Sequence, residues 1–113
     1  MDQPGDERGR PLDFIEAKSD HLYIFMDKRE QLSSIIVTPE SRQQISESGI
    51  IISRGSDVNP DWKIGDRIAI SYYTGTHIQL KECYSSSKYH RIIREHEILF
   101  FVDQDKREAF NKE

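Results

Sequence analysis

Short apolar segments separated by turn residues are the feature that most constrains the fold of this chain. The five residues Leu22–Met26 are all apolar, which is typical of a strand that is covered on both faces. Arg67–Tyr72 and His77–Lys81 alternate between apolar and polar residues, and Thr74-Gly75 between them predicts a hairpin turn. Three further segments have strand character: Gly49–Ser53, Tyr89–Arg94 and Ile98–Val102. Six short strands without sustained helical periodicity predict a compact all-β barrel or sandwich.

The segments outside these strands set the predicted domain boundaries. Residues 1–13 contain Gly, Pro and charged residues and almost nothing apolar, which predicts a flexible amino-terminal tail. Residues 14–103 then form one β domain, a size that a chain of 113 residues allows. Residues 104–113 are charged and predict a carboxy-terminal tail.

Composition and charge exclude several classes of protein. Sixteen Lys and Arg stand against twenty Asp and Glu, so the formal charge of −4 creates no overall attraction to nucleic acid or to anionic membranes. No apolar run is long enough to span a bilayer, and the amino terminus lacks the order of a signal peptide. Cys83 is the single cysteine, so no intramolecular disulfide forms. These features together predict a cytoplasmic protein that does not enter the membrane.

The apolar tripeptide Ile35-Ile36-Val37 interrupts a polar segment, Asp27–Ser48. Ser33-Ser34 precede it and Thr38-Pro39 follow it, a composition that favours extended, flexible backbone. Three β-branched residues in such a segment either form a strand of the barrel or stay available to a partner. The pattern alone leaves both readings open.

Three motifs follow one another in the second half of the chain. They are Lys63-Ile64-Gly65-Asp66-Arg67-Ile68-Ala69-Ile70, Tyr73-Thr74-Gly75-Thr76-His77-Ile78-Gln79-Leu80 and Glu97-Ile98-Leu99-Phe100-Phe101-Val102. In this order they resemble the lysine–hydrophobic–glycine–aspartate strand, the tyrosine–glycine hairpin and the acidic-then-apolar closing strand of GroES-type co-chaperonins, the chaperonin-10 family. Upstream, Asp20–Phe25 resembles the first strand of that family and Ile50–Gly55 the strand that follows its mobile loop. The resemblance covers about residues 20–103.

This resemblance implies a small GroES-like β-barrel with a mobile loop at about residues 27–48. It assigns Ile35, Ile36 and Val37 to the binding of a chaperonin-60 ring of the GroEL type. It further implies a homo-oligomeric ring of seven subunits, without a cofactor, a metal or catalytic residues, that caps the chaperonin and closes its folding chamber. Since the first and last strands pair between subunits in such rings, four aromatic residues are interface candidates, with ordinary core packing as the alternative: Tyr23, Phe25, Phe100 and Phe101.

The chain also departs from the common pattern of that family. Ser33-Ser34 stand where glycines are common before the tripeptide, and only seven residues, Ser56–Trp62, separate Gly55 from Lys63. The latter segment is too short for the family's roof hairpin, so the roof is predicted to be absent or reduced. With its longer amino-terminal tail, the chain is more similar to a divergent or viral co-chaperonin than to a housekeeping one.

Other functions have weaker support in the sequence. Lys88-Tyr89-His90-Arg91 with Arg94 is a basic segment with interleaved aromatic rings, so a small β-barrel module that binds single-stranded nucleic acid is the alternative function. The histidines and Cys83 lack the close spacing of a metal site. Asp66 follows Gly65 at the start of a strand, which predicts a hydrogen bond to nearby backbone rather than catalysis.

Overall fold

A computed structural model of the protein describes residues 8–28 and 45–112. Within these ranges the chain forms six strands, one α-helix and two 3-10 segments. The strands are β1 (His21–Met26), β2 (Ser46–Arg54), β3 (Arg67–Ser71), β4 (Thr76–His77), β5 (His90–Arg94) and β6 (Phe100–Val102). The 3-10 segments are Lys81–Tyr89 and Glu95–Glu97, and the helix α1 is Gln104–Asn111. The prediction of a small all-β domain is confirmed for the strands, to which the chain adds one short helix after β6.

The six strands of the described residues form one antiparallel sheet in the order β4-β5-β1-β2-β3-β6. The predicted hairpin at Thr74-Gly75 is wrong, because β4 pairs with β5 and not with β3. The turn instead carries the chain from β3 to the opposite edge of the sheet. Gly75 has a φ of +90°, and a Cβ there would lie 2.7 Å from Cγ2 of Ile93, so both conformation and space require glycine.

The sheet curls around an apolar interior. Arg91 on β5 donates from Nη1 to the carbonyl oxygen of Tyr72, just after β3, at 2.8 Å. In a flat sheet these strands would be about 14 Å apart, since β1 and β2 lie between them and neighbouring strands are about 4.8 Å apart. The main core cluster fills the interior with nine buried side chains: Leu22, Ile24, Met26, Ile51, Val58, Ile68, Ile70, Tyr89 and Ile93. Trp62 packs against this cluster from the turn region, which makes it a packing residue.

A second cluster lies on the outer face of the sheet, and the amino-terminal segment covers it. Leu12 is buried together with Tyr23 and Cys83, while Ile15 packs against them. The prediction that residues 1–13 form a flexible tail is therefore wrong for the described part, residues 8–13. Alternation within β1 explains the two clusters, because Leu22 and Ile24 face inward and Tyr23 faces the amino-terminal segment.

The connection between β2 and β3 is short. Residues 55–66, all of which the structure describes, form turns and no strand. The carboxylate of Asp66 accepts a hydrogen bond from the backbone N–H of Lys63 at 2.9 Å, which is the turn role predicted for it. The absence of a roof hairpin from this connection agrees with the prediction.

The carboxy-terminal segment, predicted as a charged tail, contains the helix α1. Asp103 caps it by accepting a hydrogen bond from the backbone N–H of Lys106 at 3.1 Å. All eight residues of the helix are exposed. Sequence periodicity missed the helix because it has no apolar stripe, and its cap is the local signal that identifies it.

Candidate functional site

The candidate site is the end of the barrel from which the polar segment leaves and to which it returns. The tripeptide Ile35-Ile36-Val37 itself lies outside the described residues. The structure does describe both flanks: the chain leaves β1 through Asp27 and Lys28, and it returns through Ile45 into β2. The contacts of these flanks define what the barrel offers to the intervening segment.

Asp27 joins the outgoing chain to two neighbouring strands. Its N–H donates to the carbonyl oxygen of Ser48 at 2.9 Å, and its Oδ2 accepts from the Ser48 hydroxyl at 2.6 Å. Its Oδ1 lies 3.1 Å from Nη2 of Arg67 on β3. Both carboxylate oxygens are therefore engaged, and charge-assisted bonds of this kind are stronger than neutral ones.

Glu47 and Arg91 form an ion pair inside the same end of the barrel. Arg91 Nη2 lies 3.1 Å from Glu47 Oε2, with side-chain exposures of 4% and 14%. Arg91 also donates from Nε to the carbonyl oxygen of Lys88 at 3.2 Å. Glu47 stands opposite Ile70, and Arg91 stands opposite Ile24, so both positions belong to the inward-facing rows of their strands.

This burial removes the main basis of the nucleic-acid hypothesis. Arg91, His90 and Tyr89 are buried, so three members of the predicted basic aromatic segment are not available to a nucleic acid. Alternation along a strand puts Tyr89, Arg91 and Ile93 on one face, and the core positions of Tyr89 and Ile93 show that this face is the interior. Arg94 remains exposed at the end of β5.

The four interface candidates separate into two pairs. Tyr23 is fully buried and Phe25 is 7% exposed, so both side chains have core roles within the protomer. That outcome is the core-packing alternative that the sequence left open. Phe100 and Phe101 are half exposed on β6, an edge strand of the sheet, and Leu99 beside them is exposed as well. These two phenylalanines stay candidates for an interface between subunits.

A buried histidine links the amino-terminal segment to the barrel. His90 Nε2 lies 2.9 Å from the carbonyl oxygen of Arg8, which can only accept, so this nitrogen carries the proton. Nδ1 then accepts from the Tyr23 hydroxyl at 2.8 Å, and the Tyr23 oxygen accepts from the Leu12 N–H at 2.9 Å. The Arg8 guanidinium lies over the Phe25 ring, 4.8 Å from its centroid. Sequence reasoning missed this network, because contacts between Arg8 and residue 90 leave no local signature.

Burial shifts the titration of this network. Removal from water lowers the pKa of His90, and the hydrogen bond to the Arg8 carbonyl opposes that change. Burial raises the pKa of Tyr23. The pKa of His77 is also lowered, first by burial and then by the nearby Arg91 guanidinium. Neutral His90 is therefore the form that the folded protein favours.

No cluster of His, Cys, Asp or Glu suited to a metal ion occurs among residues 8–28 and 45–112. The Cys83 thiol is buried and donates to the carbonyl oxygen of Ile78 at 3.3 Å. In the same part of the chain, no helix has the length and apolar character needed to cross a membrane.

The curled sheet, the short β2–β3 connection and the long segment between β1 and β2 define a small β-barrel of the GroES class. Comparison with known protein families matches residues 15–102 to the chaperonin 10 kDa subunit family. The chain belongs to this family, whose members are non-catalytic co-chaperonins that form oligomeric rings and act with chaperonin-60. No curated protein matches the chain at a significant level.

Proposed function

We propose that this protein assembles as a seven-membered ring that caps an ATP-dependent chaperonin-60 and closes its folding chamber. Membership of the chaperonin 10 kDa subunit family over residues 15–102 is the observation that carries the proposal. In this function Ile35, Ile36 and Val37 enter an apolar groove of the chaperonin, while the chaperonin alone binds and hydrolyses ATP.

The energetics of one tripeptide favour a multivalent assembly. Full burial of three such side chains contributes roughly 1.5–3 kcal/mol each. Ordering a segment of chain opposes this by about 1–2 kcal/mol of backbone entropy per residue. One copy therefore binds weakly, whereas several copies on one ring bind tightly and still dissociate, because each attached loop raises the effective concentration of the next.

The exposed edge of the sheet supports assembly. An edge strand offers unpaired backbone groups, and natural proteins usually protect such strands with charge, proline or a covering element. Here β6 carries Phe100 and Phe101, each with about half of its surface exposed. Pairing of β6 with a neighbouring subunit would cover both rings.

Substitution of the central residue of the tripeptide tests the proposal. Ile36→Asp places a charge in the apolar contact of every subunit, so chaperonin binding should fall by at least about 100-fold while the thermal midpoint stays unchanged. Ser41→Asp is the matched control, since it adds the same charge to the same polar segment outside the tripeptide. Binding and modulation of the chaperonin ATPase should survive in the control.

Two results would overturn the proposal. If the wild-type protein leaves the ATPase of several chaperonin-60 proteins unchanged and shows no binding, it acts as some other assembly module. If Ile36→Asp unfolds the protein, the tripeptide belongs to the core.

A further inference from the structure

The two flanks of the tripeptide segment are fixed to the barrel by a set of polar contacts. On the returning side, the carbonyl oxygen of Ile45 accepts from the N–H of Tyr72 at 2.9 Å, and Glu47 pairs with Arg91 at 3.1 Å. On the outgoing side, Asp27 binds Ser48 and Arg67. The contacts concentrate where the polar segment Asp27–Ser48 is attached to the barrel. Four of the contacting residues belong to its first or last four positions: Asp27, Ile45, Glu47 and Ser48.

These contacts include a mostly buried ion pair, Glu47 with Arg91. A buried ion pair contributes little net stability, since removing two charges from water offsets much of their attraction. Apolar side chains of similar volume would close the barrel end at least as well. A carboxylate that accepts hydrogen bonds from two donors holds its own chain segment in a fixed direction, because charge-assisted bonds constrain angles as well as distances.

We propose that Asp27, Ser48, Arg67, Glu47 and Arg91, here called the root clamp, position the tripeptide segment for chaperonin binding. The inference rests on the proposed function. Fixed attachment points reduce the number of conformations that each segment loses when it docks, and preorganisation of this kind increases affinity.

Repetition around the ring amplifies the effect of the clamp. A twofold loss of affinity at each attachment would compound to roughly 100-fold over seven linked copies. The contribution of the clamp is therefore measurable in the assembled protein even where it is small in one subunit.

Ser48 offers the mildest test. Ser48→Ala removes the hydroxyl that binds Asp27 Oδ2, whereas Ser48→Thr keeps a hydroxyl and suits a strand. The affinity of each variant for chaperonin-60 with ATP is measured by titration, with native mass spectrometry to establish that assembly is unchanged. We expect Ser48→Ala to weaken binding at least fivefold and Ser48→Thr to restore it to within twofold.

A destabilised variant far from the clamp separates positioning from stability. Val58 is buried in the core from the β2–β3 connection, beside the bond from the Asp57 N–H to the Ser19 carbonyl before β1 begins, so Val58→Ala lowers stability at the other end of the barrel from the clamp. Its affinity should equal that of the wild type at a temperature where both are folded. A synthetic peptide of residues 27–48 gives the affinity without any clamp, and Ser48→Ala should not change the affinity of this peptide.

Failure of the inference is distinguishable from failure of the proposed function. If Ile36→Asp abolishes binding but Ser48→Ala binds like the wild type, the clamp has no positioning role. The same conclusion follows if Val58→Ala weakens binding as much as Ser48→Ala does. If Ile36→Asp has no effect on binding, the proposed function itself is wrong.

Discussion

A row of paired residues crosses three neighbouring strands and connects two different parts of the sheet, the root clamp and the β6 edge. Ser48 on β2 stands opposite Ala69 on β3, and Ala69 stands opposite Phe100 on β6. At the Ser48 end, the Ser48 hydroxyl and the Arg67 guanidinium both contact the carboxylate of Asp27. At the Phe100 end, an aromatic ring on an edge strand is half exposed. The polar side chains of the root clamp thus find partners within the chain, whereas the two phenylalanines of β6 remain half exposed.

This contrast separates two ways of preparing a surface for a partner. Polar contacts at the clamp join the end of β1 and the start of β2 to β3 and β5, and the β6 edge exposes apolar area suited to burial against a neighbouring subunit. Directional polar contacts therefore lie at the root clamp, and the apolar surface available for non-directional contacts lies on β6. Four substitutions test this division.

Phe100→Asp should have the largest effect. A charge on the open edge opposes burial against a neighbouring subunit, so the assembly should dissociate to folded monomers at micromolar concentration. Analytical ultracentrifugation gives the mass, and circular dichroism reports folding. Tyr84→Asp is the control, because Tyr84 is an aromatic residue with 74% exposure away from β6. An unchanged mass for Phe100→Asp would show that β6 is not the interface.

Arg91→Met should strongly lower the stability of the folded protein. It removes the guanidinium from the mostly buried ion pair with Glu47, and the loss of one partner of a buried pair costs about 3–5 kcal/mol. For a domain of this size the thermal midpoint should fall by more than about 10 °C. Arg94→Met, on the exposed end of the same strand, should change stability by less than about 0.5 kcal/mol. Equal effects of the two substitutions would contradict the interior role of Arg91.

Acidification should loosen the amino-terminal segment. The folded state lowers the pKa of His90, so the unfolded state binds more protons as pH falls through the ordinary histidine range, and stability decreases in that direction. The wild type should lose a few degrees of thermal midpoint between pH 7.5 and pH 5. His90→Gln should show a flatter profile, and adding His77→Gln should flatten it further, because the folded state also lowers the pKa of His77. An unchanged slope in His90→Gln would assign the pH dependence to other groups.

The smallest effect is expected at the helix that follows the open edge. Asp103→Ala removes the cap of α1 and should destabilise the helix by about 1 kcal/mol. Because every residue of α1 is exposed, the loss should appear as faster amide exchange in residues 104–111 without a change in the thermal midpoint. A lower midpoint would mean that the helix contributes to the stability of the barrel.

The sequence predicts β1, β2, β3 and β5 because their apolar residues follow simple local rules. It overestimates β4, where the alternation His77–Lys81 continues beyond the two residues that pair, Thr76–His77. It misses the inward placement of Arg91, since charged residues on a strand are ordinarily solvated and its burial depends on distant partners such as Glu47 and the carbonyl oxygen of Tyr72. It also misses the packed amino-terminal segment, because Leu12, the one buried apolar residue among residues 8–20, gives no periodic signal.

Native mass spectrometry of the protein mixed with a chaperonin-60 and ATP tests the central claim most directly. The account predicts a complex whose added mass equals seven copies of this chain at one end of the chaperonin, and the Ile36→Asp variant should remain as a free ring. A wild-type protein that stays unbound beside the chaperonin, as a monomer or as a ring, would contradict the account.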